Sequence, residues 1–112
     1  MDPFKLHEDQ IIFELKSRKA STEGDLSDLA NRLHLEILLA RDVVVVEVDV
    51  AKELDYCRGG FEQLTREISG IKSRNRTPKV KSIQSKIIHL INRLNNVKAY
   101  NSEATELADD MI

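Results

Sequence analysis

Tryptophan is absent and aromatic residues make up only 4% of the 112-residue chain. Leu, Ile, Val and Ala carry nearly all of the apolar surface, which argues against a sandwich or a Rossmann fold and for helices. A lone cysteine, Cys57, excludes an internal disulfide and a disulfide-built secreted scaffold. Apolar runs reach about four residues, far short of the ~20 that a membrane span needs. The opening Met-Asp-Pro-Phe-Lys lacks the basic-then-apolar order of a signal peptide. The expectation is a soluble, intracellular protein, cytoplasmic or nuclear.

Chemistry-bearing patterns are also scarce. No Gly-x-Gly-x-x-Gly or Walker pattern surrounds Gly59-Gly60. His7, His34 and His89 share no spacing with one another or with Cys57, and no His-Glu-x-x-His occurs. The three histidines therefore read as surface or boundary residues, and Cys57 as a buried, inert thiol. Glu47, Asp49, Glu53 and Asp55 fall on several faces of a helix rather than on one, so a carboxylate metal bundle is disfavoured. No catalytic residue, cofactor or metal site is expected.

What the chain has instead is segregated charge. Residues 68–102 hold eight Lys or Arg and no Asp or Glu. Residues 1–67 hold nine basic and fifteen acidic residues, and the last ten hold four acidic and none basic. The net charge of −2 hides this polarity. Such segregation favours an acidic partner in a way that an even mixture would not.

The periodicity predicts an all-α chain in one domain: an elongated helical bundle or coiled-coil αα-hairpin. A first helix is expected over 3–18, with Asp2 as cap, Pro3 in the first turn, and Phe4, Ile11, Ile12 and Leu15 buried. A long helix follows over 22–72, capped by Ser21 or Thr22. Leu26, Ala30, Leu33 and Ile37, and then Leu54, Cys57, Phe61, Leu64, Ile68 and Ile71, step along it by three and four. Two features oppose continuity. Gly59-Gly60 costs about 1 kcal/mol per glycine in a helix interior and predicts a kink or short break there. The run Val43-Val44-Val45-Val46, followed by Val48 and Val50 alternating with acids, carries a strand signature. Strong helix formers on both sides favour helix. A third helix over 78–98, capped by Thr77, carries Val80, Ile83, Ile87, Leu90, Leu94 and Val97. Asn95, Asn96, Asn101 and Ser102 are expected to end it, leaving a short acidic segment over 102–111.

The two apolar stripes match in antiparallel order. Ile71 falls opposite Val80, Ile68 opposite Ile83, Leu64 opposite Ile87, Phe61 opposite Leu90, Cys57 opposite Leu94 and Leu54 opposite Val97. The midpoint of that register lies in the polar Ser-Arg-Asn-Arg-Thr-Pro stretch, where a turn belongs. A hairpin with its tip at Asn75 is therefore predicted, with the first helix folded over residues 26–40.

Three features are candidates for function. Lys72, Arg74, Arg76, Lys79, Lys81 and Lys86 cluster at the hairpin tip as a docking surface for an acidic protein or for nucleic acid. No aromatic is interleaved with them, which weakens single-strand recognition by base stacking. Val43, Val44, Val45, Val46, Val48 and Val50 form a candidate interface with a protein partner, in a homo- or hetero-oligomer, because one neighbouring helix cannot cover four successive helical valines. Thr77-Pro78 among basic residues fits a phosphosite, although a helix cap followed by proline accounts for it equally. The reading is a non-catalytic scaffold or adaptor subunit of a coiled-coil assembly, with electrostatic nucleic-acid binding as the alternative.

Overall fold

The fold is seen in a computed structural model that describes residues 1–40, 42–71 and 76–110, with side chains over 77–102 in the last of these. It is all-helical. A 3-10 turn, Pro3–Lys5, precedes α1 (Glu8–Ser17), α2 (Leu26–Leu38), α3 (Val50–Ser69) and α4 (Arg76–Asp110). No strand occurs among the described residues.

Helix ends follow local chemistry. The Asp2 carboxylate accepts from Phe4 N–H and starts the 3-10 turn, but Leu6 is extended and stops it. The first expected helix is thus divided, and Phe4 is 57% exposed rather than buried. At the end of α1, Lys19 takes a left-handed φ of 56°, and Ala20 N–H reaches back to Leu15 O at 2.9 Å. This is the Schellman closure that glycine usually supplies. Asp25, rather than Ser21 or Thr22, caps α2. Its carboxylate accepts from Asp28 N–H at 2.9 Å, and the Asp28 carboxylate accepts from Asp25 N–H in return. Asp49 caps α3 in the same way, through Lys52 N–H.

The predicted long helix over 22–72 is two helices. Residues 42–49 between them belong to neither a helix nor a strand, so the continuous helix does not form and no strand pairs there. Of the six valines between 43 and 50, only Val50 is helical, as the first residue of α3. The break expected at Gly59-Gly60 is absent, since α3 runs through both glycines. A Cβ on Gly60 would stand 2.9 Å from Leu90 Cδ1, so that glycine is where α3 and α4 approach closely. Gly59 faces open space.

α4 begins at Arg76, which puts Thr77 inside the first turn and not at the cap. It also continues through Asn95, Asn96, Asn101 and Ser102 to Asp110. Two of these residues have bonds compatible with a helix. Asn96 bonds another part of the chain, and Ser102 Oγ donates to Lys98 O one turn back. The acidic segment expected over 102–111 is therefore the last part of α4 as far as Asp110. The expected hairpin tip at Asn75 falls within 72–75, outside the described residues.

Two apolar clusters result. Leu6, Ile11, Leu15, Leu29, Ala30 and Leu33 bind α1 to α2. Cys57, Leu64, Ile83 and Leu90 bind α3 to α4, with Tyr56, Phe61, Ile71, Ile87 and Leu94 around them. The second cluster holds the middle of the predicted antiparallel register. Its ends are open: Leu54 is 43% and Ile68 52% exposed.

Candidate functional site: a polar junction and an extended valine segment

α4 presents two faces to the rest of the chain. Ile83, Ile87, Leu90 and Leu94 face α3. A second stripe, at the same helical spacing, is polar and faces the N-terminal half. Ser85 Oγ accepts from Asp2 N–H at 2.8 Å. His89 Nδ1 and Glu14 Oε2 are 2.7 Å apart, and Asn92 Nδ2 donates to Glu14 Oε1 at 2.9 Å. Asn96 grips the Val46 backbone, accepting from its N–H at 2.7 Å and donating to its carbonyl at 2.9 Å.

Arg93 closes this junction. Its Nε donates to His89 Nε2 at 2.8 Å, and its Nη1 lies 3.2 and 3.1 Å from the two Glu53 oxygens. Its guanidinium also lies 4.7 Å from the Phe13 ring centroid and 3.9 Å from that of Tyr56. Since Arg93 can only donate, His89 Nε2 accepts and Nδ1 carries the proton given to Glu14. His89 and Glu14 are fully buried. In sequence the three histidines read as surface or boundary residues, and the buried His89 overturns that for itself. Its neighbours come from α1 and from its own helix, and no local motif announces them.

Burial by itself would push the Glu14 carboxyl up. Donors surround it, His89 first and then Arg18 and Asn92, and they outweigh the burial and hold it below the ordinary glutamate range. Burial, then the hydrogen bond that Tyr56 gives Asp9, pushes the Tyr56 hydroxyl up to about 12. Burial, then the Glu53 charge, pushes the Cys57 thiol up, as suits a buried and unreactive cysteine. Neither ring nitrogen of His89 is free for a substrate. No group of three or more metal-ligating side chains forms among the described residues.

The valine segment lies across this junction. Val44 N–H donates to Ser17 O at 2.6 Å, at the end of α1, and Val46 is held by Asn96. Val43 is 63% exposed, while Val44, Val45, Val46 and Val48 are half-buried. A groove of about 350 Å³ lies beside it, lined by Val43, Val44, Val45, Arg18, Asn95 and Ala99, among others.

Of the predicted basic tip, Lys72 and Arg74 and the Arg76 side chain lie outside the described residues. Lys79 and Lys81 are exposed and form no ion pair among the described residues. Lys86 is partly withdrawn, 3.9 Å from Glu67 of α3. Thr77 is exposed. No helix among the described residues is long and apolar enough to cross a membrane. Comparison of the chain with known protein families, with curated proteins and with solved structures finds no match.

Proposed function

We propose that the protein is a non-catalytic helical adaptor whose basic hairpin end docks an acidic partner and whose valine segment meets another chain. The observation that carries this reading is the exposure of Lys79 and Lys81 with no ion pair among the described residues, in a chain that pairs Arg18, Lys86 and Arg93 internally. Basic groups used only for the fold would be matched as those three are. The buried histidine supports the non-catalytic part, because both of its ring nitrogens are engaged in the junction.

The test is a titration with polyglutamate and, separately, with duplex DNA, each over a range of salt concentrations. The adaptor reading expects polyglutamate to bind and Lys79→Glu/Lys81→Glu to abolish that binding with the melting temperature unchanged. Binding to DNA alone, with affinity falling steeply with salt, would favour the nucleic-acid alternative. No binding to either would remove the basic end as a docking surface.

A further inference from the structure

α4 is charged against its own dipole at both ends. A helix favours acids at its start and bases at its finish. α1 conforms, with Glu8 and Asp9 in its first turn and Lys16 in its last, and so does α3, with Glu53 and Arg66. The first turn of α4 has no acid and carries Arg76 and Lys79, with Lys81 just beyond. Its last turn has no base, and residues 103–110 hold Glu103, Glu106, Asp109 and Asp110 without a Lys or Arg.

Neither end can relieve the other within one molecule. The 35 residues of α4 reach about 50 Å at a rise of about 1.5 Å each. The longest dimension of the molecule is 59 Å. The ends of α4 therefore stand close to the ends of the molecule, and an unbroken helix cannot bring them together. Glu53, in the first turn of α3, bonds Arg93, so residues 103–110 lie past the start of α3 rather than along it. At the opposite end Lys79 and Lys81 are exposed and form no ion pair among the described residues.

We propose that copies of the chain associate end to end, the acidic finish of α4 in one copy docking on the basic start of α4 in the next. The inference rests on the reading of the basic end as a docking surface, and it names the acidic partner as a second copy. Charge complementarity selects this occupant, since the chain carries both halves of the pair and cannot join them internally. The dipole selects it again. Any polyanion would neutralise the lysines, but the finish of a helix also brings a negative dipole end to a positive one. Like ends repel, so start meets finish. Such a heterologous contact does not close on itself and builds open chains. Being ionic and at the surface, it weakens with salt.

The test is sedimentation velocity of the full chain over a wide concentration range, in low and in high salt. The native mass should rise with concentration in low salt and return to the monomer in high salt. Arg76→Glu/Lys79→Glu/Lys81→Glu carries acid at both ends of α4, and Glu106→Lys/Asp109→Lys/Asp110→Lys carries base at both. Each should be monomeric with the native helix content by circular dichroism. Mixed in low salt they should associate, because each supplies the end that the other has lost. A native chain that is monomeric throughout in low salt overturns the proposal. So does association that high salt leaves intact, or a mixture of the two folded variants that does not associate. Where a variant folds poorly, polyglutamate replaces it: it should occupy the basic ends and return the native chains to monomers, and association indifferent to it also overturns the proposal. A monomeric chain that binds polyglutamate keeps the basic end as a docking surface and loses only the second copy as its partner.

Discussion

The α1–α2 half and the α3–α4 half are each built on aliphatic side chains, yet they meet through buried charge. Within each half, contact is chiefly apolar, with the Arg93–Glu53 and Lys86–Glu67 pairs added between α3 and α4. Between the halves stand Glu14, His89 and Asn92, with the Asn96 grip beside them, and Arg93 ties His89 to Glu53 of its own half. Apolar packing tolerates small shifts of one helix along another. A buried carboxylate with three donors tolerates few, because each displaced donor loses its bond without gaining water. The halves thus gain their cohesion from hydrophobic burial and their relative placement from hydrogen-bond geometry.

The sharpest way to break that division is Arg93→Met. It keeps volume but leaves Glu53 and His89 Nε2 without their donor, between rings that lose their cation. Breaking a buried pair by removing one partner costs about 3–5 kcal/mol. Urea unfolding should show that loss. A change well under about 1 kcal/mol would contradict a tightly bonded junction at Arg93.

Acid should act on the same place. The Glu14 carboxyl is held below its ordinary value of 4.5, so the folded state binds its proton less readily than the unfolded chain does. Its contribution is therefore complete above the ordinary glutamate value and is lost as the pH falls below it toward the depressed folded value. Stability measured from pH 7 down to pH 3 should fall through that window, and Glu14→Gln should flatten the fall.

The smallest effect separates the two glycines of α3. Gly59→Ala faces open space and should stabilise the protein by about 1 kcal/mol, the usual helix-interior difference. Gly60→Ala should lose that gain, because its new methyl meets the buried Leu90 side chain. A thermal melt of each variant decides it. Equal stabilisation would mean that the α3–α4 contact is looser than the close approach at Gly60 implies.

The α3–α4 hairpin was legible because both of its helices carry their apolar residues at helical spacing, and because Leu64, Phe61 and Cys57 match Ile87, Leu90 and Leu94 in order. The α1–α2 contact was legible for the same reason. The split of the long helix was half-legible. The alternation of Val46, Val48 and Val50 with acids did mark an interruption of the helix, but the residues that bond the interrupting segment, Ser17 and Asn96, are far away in sequence. Propensity on either side pointed to helix, and tertiary bonding prevailed. The junction had one overlooked signal, the polar residues Ser85, His89, Arg93 and Asn96 recurring at helical spacing beside the apolar stripe. A stripe of that kind usually faces water. Only the acid buried on α1 turns it inward, and nothing near Glu14 in sequence sets it apart from the surface glutamates.

The polar stripe of α4 also governs the order in which the molecule can be completed during synthesis. Asp2, Glu14 and Val46 emerge from the ribosome long before Ser85, His89, Asn92 and Asn96, which are to receive them. Until then the N-terminal half can pack its leucines but must leave its carboxylate hydrated. α4 is therefore the helix that locks the three before it, and contacts across so long a stretch of chain form late. A nascent chain halted before residue 85 would hold an N-terminal helix pair whose Glu14 and Val46 still lack their partners from α4.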